Sequence, residues 1–457
     1  MWGMKTVFLF LKNPLFISDL LKTDYITYLS SKYRVVVFSS TIDESTGDYF
    51  SSLNVDYVHW QTQAPKLFIA FKFLRTACMH EFDSMTSLQS YYASPAFMND
   101  KRARLLRFLS RPLAPWLTVD TFTALEYFFM KRSRLFEDYC RRYRPSAVVT
   151  ATPGIQVFDA EAILLAKKAG LPTVATNLSW DNLTSFKCVR SRKPDYLFVW
   201  NEVLKDAAVR FHGFKPERVL ITGSMRFDRY FDNAHFIPGR EEFLRSKRLN
   251  PKYKTILFAT AGRAPFQTDV LRGIIRERNA GAIPHVNILI RLHPFDSYEY
   301  YREFVTEKDV WVELAGKEKT TLRGTKTVEL DRNAFINLKA TLTHTDVNVN
   351  YKSTISLESF IFDKPVINFL APGALFQNTH YYDQGSYYYP LIKTGAVALA
   401  ENHEALIREI NAYLKNPERH SESRKRMSKA FFYREDGLAY KRNVDFLEEL
   451  IENPAHS

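Results

Sequence analysis

The chain has 457 residues, 46% apolar and 25% charged, which is long enough for two globular domains and too apolar for a disordered polymer. Its 63 Lys and Arg against 50 Asp and Glu give a formal charge of +13, pointing to a phosphate-rich partner: nucleic acid, an anionic membrane or a phosphorylated substrate. Cys78, Cys140 and Cys188 lie far apart with no CxxC spacing, which argues against a zinc site or a disulfide framework and fits a reducing cytosol.

The opening MWGMKTVFLFLKNP carries an apolar run only about a strand long, with no small-residue cleavage site after it, so it reads as a strand and not as a signal peptide. No run reaches the ~20 apolar residues of a spanning helix. The expectation is a soluble, cytoplasmic protein that touches a membrane at most from its inner face. TVFLFL, the helix DLLKTDYITYLSSKY and RVVVFSS make strand, helix, strand, and continuous apolar strands of this kind belong to a parallel sheet. The pattern returns at AVVTATPG, DAEAILLAKKAG and PTVATN, then at YLFVWN, EVLKDAAVRFHG and VLITGS. Residues 1–235 are therefore predicted as one α/β domain.

Residues 62–135 interrupt that pattern, mixing Phe, Leu and Trp with Lys and Arg. They are predicted as insertion helices with an apolar face and a basic rim. Such helices either pack on the domain or approach anionic lipid, in which case Lys101, Arg102, Arg104, Arg107 and Trp116 are among the contacts. A polar connection containing Pro238 and Pro251 leads to a second α/β domain, 236–425, with strands TILFAT, NILI, VWVEL, DVNVNY and KPVINF. Residues 426–457 form a closing helix.

Open α/β sheets bind ligands beyond the carboxyl ends of their strands. Three ends in the second domain carry suitable groups: Gly262 and Arg263, Arg291 and His293, and the pair Ser353 and Thr354. Ser and Thr before a helix serve either as caps or as phosphate ligands. Three such ends in strand order favour phosphate. The chain has no GxxxxGK[ST], no GxGxxG after a strand, no HExxH, no GxSxG, no kinase motifs and no DxD, so P-loop hydrolysis, the usual dinucleotide binding and metal-ligand spacings are not indicated. No nucleic-acid-binding motif organises the dispersed basic charge, and no nucleic-acid partner is expected.

RLHP and KSTISLESFIFDKPVIN resemble the HP and Ser-Ser/Thr motifs of bacterial GT-B glycosyltransferases that build capsules and other surface polysaccharides. YREDGLAYKRNVDFL is similar to the ending of the CDP-glycerol glycerophosphotransferase group, and LSWDNLTS with VLITGSMRFD looks like a set found in polysaccharide-biosynthesis proteins of this fold. The resemblance covers most of the chain outside residues 62–135. It implies two Rossmann-like domains facing a cleft, with the nucleotide donor on the second. Ser353 and Thr354 would then hold donor phosphate, His293 would lie near the phosphate or leaving group, and Glu358 would contact ribose or serve as a first-turn acid. An acceptor-side base would come from the first domain, with Asp181, Asp159 and Glu161 as candidates. Glu435-Asp436-Gly437 is too near the C-terminus to be that base. The implied activity is sugar transfer from a nucleotide-activated donor to a glycan or lipid-linked acceptor, without a cofactor or metal. The alternatives are polyol-phosphate transfer from CDP-glycerol, a sugar-nucleotide 2-epimerase, and a non-catalytic membrane-peripheral assembly partner.

Overall fold

The computed structural model describes residues 4–12, 16, 17, 20, 23–40, 44–64, 78, 89, 92, 95–130, 132–183, 192–231, 237–262, 266–294, 296–320, 326–329, 332–370 and 388–453. It divides into two compact units. One comprises Met1–Asp228, Gly385–Tyr387 and Phe432–Ser457; the other comprises Arg229–Gln384 and Tyr388–Phe431.

The first unit is built on seven strands: β1 (Thr6–Phe10), β2 (Arg34–Ser39), β3 (Asp56–His59), β4 (Pro145–Thr150), β5 (Thr173–Thr176), β6 (Tyr196–Val199) and β7 (Val219–Ile221), in the order β3-β2-β1-β4-β5-β6-β7. All neighbours are parallel. The apolar runs are continuous because both faces are covered. Val7, Leu9, Val35 and Val37 enter the core on one face. Phe8, Phe10, Val36 and Phe38 enter it on the other, beside Trp60 and Phe136. Phe10 stacks on Phe38 with ring centroids 4.7 Å apart.

The second unit holds β8 (Thr255–Ala259), β9 (Asn287–Arg291), β10 (Val310–Glu313), β13 (Val347–Asn350), β14 (Val366–Phe369) and β15 (Ala398–Ala400), in the order β10-β9-β8-β13-β14-β15; β11 (Lys317–Thr320) and β12 (Lys326–Glu329) form a separate antiparallel pair. Both large sheets therefore start in the middle, grow outward to one side, then return to the starting strand and grow to the other. The order reverses between β1 and β4 in the first sheet and between β8 and β13 in the second, and that reversal is where a doubly wound sheet opens a crevice.

Three features depart from the sequence reading. β3, β15 and the β11–β12 pair were not anticipated; each is three or four residues long, too short for a periodic signal. The unit boundary falls at Asp228/Arg229 and not at 235. The closing helix Ala439–Glu452 belongs to the first unit. Asp228 accepts from the backbone N–H groups of Ala439 (3.0 Å) and Tyr440 (2.8 Å), satisfying two donors of that helix's first turn from 211 and 212 residues away. Arg442 donates to the Thr222 carbonyl at 2.8 Å, and Tyr28 donates to Asp445 at 2.8 Å. Gly223 has φ +83°, and a Cβ there would lie 3.1 Å from the Arg442 guanidinium and 3.2 Å from Ala439. The helix thus seats directly on the GSMRFD turn.

Candidate active site

Thr260, the residue after β8, is buried, and its hydroxyl accepts the backbone N–H of His293 at 2.9 Å. This ties the end of β8 to the HP turn after β9. Beyond Thr260, the Gln267 side chain accepts from the Ala261 N–H and donates to its carbonyl, both at 2.8 Å. That ring pins the loop carrying Gly262 to the start of the helix Gln267–Asn279, which has no side-chain cap of its own. Phe266 meets Tyr351, the residue after β13, edge-on at 5.3 Å. The carboxyl ends of β9, β8 and β13 are thereby linked side by side, with Gly262, His293, Ser353 and Thr354 all partly open at their tips. Arg263 lies outside the described residues.

The loop after β13 rests on a buried amide and hydroxyl network. Val347 and Val349 point into the core, while Asn348 and Asn350 point to the helix Ile355–Ile361. The Asn350 amide nitrogen donates to Ser356 Oγ at 3.1 Å. The Asn350 amide oxygen accepts from the Ser353 N–H and from Asn368, each at 3.1 Å. Tyr388 donates to Ser356 Oγ at 2.7 Å. Alternation in VNVN therefore separates an apolar core face from a hydrogen-bonded face that sets the height of Ser353.

Capping does not explain the two hydroxyls. Thr354 makes no side-chain cap bond, and Ser353 Oγ lies 3.5 Å from the Ile355 nitrogen, at the limit of a hydrogen bond. The first-turn N–H groups of Ser356 and Leu357 already turn back to the Ser353 and Thr354 carbonyls, so the hydroxyls are not needed there. Beside them Lys352 sits at φ +39° with its ammonium 4.8 Å from the centre of the Tyr351 ring, and burial pushes that ammonium down to about 8.

Arg291 is placed differently from the sequence reading. It is 6% exposed, and its guanidinium donates to Glu313 at 2.6 Å and to the Ala315 carbonyl at 3.2 Å. Glu313 stands beside Arg291 in the parallel register and also takes Lys247 at 2.6 Å. Burial pushes the Glu313 carboxyl up, but the Arg291 and Lys247 charges outweigh it and hold it below its usual range. Arg291 thus fastens β9 to β10. Glu358 is 7% exposed in the first turn of Ile355–Ile361, behind the open tips.

In the first unit, Asp159 and Glu161 stand on the helix Val157–Lys168, each 1% exposed. Thr152 donates to Asp159, and Glu161 accepts the Gln63 N–H at 2.8 Å. Burial raises the Glu161 carboxyl to about 7, against the pull of the Gln63 N–H and the Lys12 charge. Asp159 thus fastens the loop that follows β4, and Glu161 the segment that follows β3. Asp181 is half-buried in the turn after β5, beside the buried Trp180 and Asn182. Asp436 accepts the Leu438 N–H at 3.0 Å and pairs with Arg442 at 2.7 Å, a helix-entry role that agrees with leaving it out as a base.

The family model described as CDP-Glycerol:Poly(glycerophosphate) glycerophosphotransferase matches residues 165–449, more than half of the chain. The chain belongs to that family. This glycerophosphotransferase-family chain is a transferase with a GT-B fold. Its fold is similar to the S. aureus MnaA–UDP co-structure, with TM-score 0.56 and 12% identity over 98% of this chain and 97% of that one. It is also similar to a glycosyltransferase from Rickettsia africae (TM-score 0.54, 10% identity, 99% and 100% covered) and to the UDP-GlcNAc 2-epimerase of Neisseria meningitidis bound to UDP-GlcNAc (0.54, 12%, 98% and 100%). No curated protein matches it in sequence. Two features of this family member escaped sequence reasoning. Lys352 precedes the hydroxyl pair, and its left-handed backbone leaves no periodic trace. Asp228 caps a helix more than 200 residues away, and no local pattern reports such a contact.

Proposed function

We propose that the chain moves a sugar from a nucleotide-activated donor to a glycan or lipid-linked acceptor, with the donor phosphate held by the second unit at Gly262, His293, Lys352, Ser353 and Thr354. The observation that carries this reading is that Ser353 and Thr354 stand at the strand-order reversal, where Thr354 makes no side-chain cap bond and Ser353 Oγ meets the Ile355 N–H only at 3.5 Å. As the donor bond breaks, negative charge grows on the leaving phosphate. Two hydroxyls and an ammonium already fixed around it stabilise the transition state without reorganising. Asp181, the candidate acid least enclosed by the first unit, is our assignment for the base that takes the acceptor proton. The family model favours a second reading, transfer of glycerol phosphate from CDP-glycerol. Turnover of UDP-, GDP- and CMP-sugars against CDP-glycerol decides between the two. Hydrolysis or transfer of CDP-glycerol alone would replace sugar transfer, and reaction with no donor in the set would sink both.

The phosphate ligands named are cations, hydroxyls and backbone, so the proposal includes catalysis without a bound metal. Full activity in EDTA is expected; loss in EDTA with recovery on adding magnesium or manganese would reverse it.

We also place the acceptor at an anionic bilayer. The helix Lys101–Ser110, capped by Asp100, exposes Leu105, Phe108 (73%) and Leu109, and the turn after it exposes Leu113 and Trp116 (68%). Lys101, Arg102, Arg104 and Arg111 are exposed beside them. Clustered apolar side chains mark an interaction surface, and a basic flank selects anionic lipid. Arg107 is not part of that flank: it donates to the Tyr92 hydroxyl at 2.9 Å and stacks 3.6 Å from its ring. Flotation should recover the protein with anionic vesicles, less at high salt. Equal recovery with neutral vesicles would remove the charge argument.

A further inference from the structure

The first unit contains a cavity of about 640 Å³ at the amino ends of β5, β6 and β7. This is the opposite edge of the sheet from the carboxyl ends where such sheets take their substrates. One wall is apolar, from Leu447, Leu450 and Ile451 of the last helix. The rest carries five cations, Lys167, Arg192, Lys193, Lys215 and Arg218, and one carboxylate, Asp195. That carboxylate is already engaged: it pairs with Lys167 and accepts the N–H and hydroxyl of Thr173 at 2.8 and 2.7 Å.

Helix ends explain part of this charge. Lys167 and Lys168 close the helix Val157–Lys168, where cations favour the exposed carbonyls, and Lys193 donates to the last carbonyl region of its neighbour at Gly213, 2.7 Å away. Arg192, Lys215 and Arg218 remain. Among the described residues none of the three has a carboxylate within 4.0 Å, and two lie on aromatic faces, Arg192 on Tyr127 (4.4 Å) and Arg218 on Tyr196 (4.7 Å). Lys168 shares the Tyr127 ring at 4.2 Å. Burial, and then the charges of Arg132 and Arg192, hold its ammonium below the usual range. Aromatic faces fix the guanidinium forks without neutralising them. The volume lies within the ~300–1,000 Å³ of small-molecule sites.

We propose that this cavity binds a ligand with several phosphates in a row, a phosphodiester or polyphosphate chain, with Arg192, Lys215 and Arg218 as its contacts. Orthophosphate offers too few charges to engage three separated cations; a chain of phosphates engages them together. Its identification with the trailing part of a polymeric acceptor rests on the second reading above, glycerol phosphate transfer, and would make this a holding site remote from the group transfer. A long acceptor would use it, and an acceptor of one or two units would not reach it.

The test separates the two claims. Linear tripolyphosphate is titrated into the full chain by calorimetry at low salt, with orthophosphate in parallel. Tripolyphosphate should bind more tightly. Arg192→Gln/Lys215→Gln/Arg218→Gln should weaken it at least about tenfold, since even one charge-assisted contact is worth that much. Ser353→Ala, in the donor site of the second unit, should leave the isotherm of this cavity unchanged and alter at most a second, separate one. If the triple variant melts early, Lys215→Gln carries the test, because Lys215 is exposed. Unchanged affinity in the variants, equal affinity for orthophosphate, or loss in Ser353→Ala would overturn the site. Displacement of tripolyphosphate by phosphatidylglycerol vesicles would assign the cations to lipid headgroups and overturn the free chain. With the site established, the variant should raise KM for a long polymeric acceptor and leave a short one alone; equal effects on both would reject the acceptor role while leaving phosphate binding intact.

Discussion

Past β1 and β4 the chain places Thr152, Asp159 and Glu161, polar groups turned inward that fasten the turn after β4 and the segment after β3. Past β8 and β13, the same reversal in the second sheet, it places Gly262, Lys352, Ser353 and Thr354, all partly open. The scaffold is shared and the polar residues do opposite work. In the first sheet each is tied to a neighbouring side chain or backbone N–H, and the second Glu161 oxygen is buried without a hydrogen-bond partner among the described residues. In the second, a layer beneath them (Asn348, Asn350, Asn368, Ser356 and Tyr388) takes over that task and leaves the outer hydroxyls available. Strand order marks where a site is possible; the presence of a supporting polar layer marks where it is used.

Several experiments break or sharpen this contrast. The largest effect is expected from Arg291→Met. Removing one member of a buried ion pair leaves Glu313 with Lys247 as its remaining cation, costing up to about 3–5 kcal/mol in denaturant unfolding. Donor KM in the surviving folded fraction should stay the same; a selective rise in donor KM with wild-type stability would return Arg291 to the phosphate site. Next, Ser353→Ala and His293→Ala should each lower kcat on the order of 100-fold with an unchanged melting temperature. Wild-type turnover in both would move the donor elsewhere.

Glu161→Gln probes the first sheet. The folded carboxyl is raised to about 7 from its ordinary 4.5, so its contribution to stability is fully present below pH 4.5 and is lost as the pH rises through 7. The Gln variant keeps an oxygen for the Gln63 N–H and should remove that slope, an effect of roughly 1–3 kcal/mol between pH 4.5 and 8. A parallel pH dependence in both proteins, together with a collapse in kcat, would make Glu161 a base and not a fastener. The smallest change is Asp228→Ala, which strips a helix terminus of its acceptor at about 1–2 kcal/mol, while Asp228→Asn keeps most of it. Equal melting of all three proteins would show that the last helix is held by its apolar face alone.

How much of this was readable in advance follows from the range of each interaction. The long strands were legible because burial on both faces writes an unbroken apolar run, as in TVFLF and RVVVF. The strand ends were legible because βα loops follow strands at fixed positions. The Arg291 ion pair was not legible because its partner, Glu313, lies one strand over, and register across a parallel pair is not written locally. Lys352 was passed over because a single left-handed residue has no period. The boundary at Asp228 was missed because its partner is the other end of the chain.

That last contact has a consequence for biosynthesis. The first unit is interrupted: its sheet is complete by Ile221, yet the helix that seats on Gly223 and Asp228 is Ala439–Glu452. At about 5–20 residues per second, the ribosome needs on the order of 10–40 seconds to deliver that helix after the sheet is made. Through that interval the nascent first unit carries an open apolar strip where Val444, Leu447 and Ile451 will dock, while the second unit emerges with its own uninterrupted sheet. The two units therefore mature in the reverse of their order in the chain, and the N-terminal one is the client that a chaperone would meet.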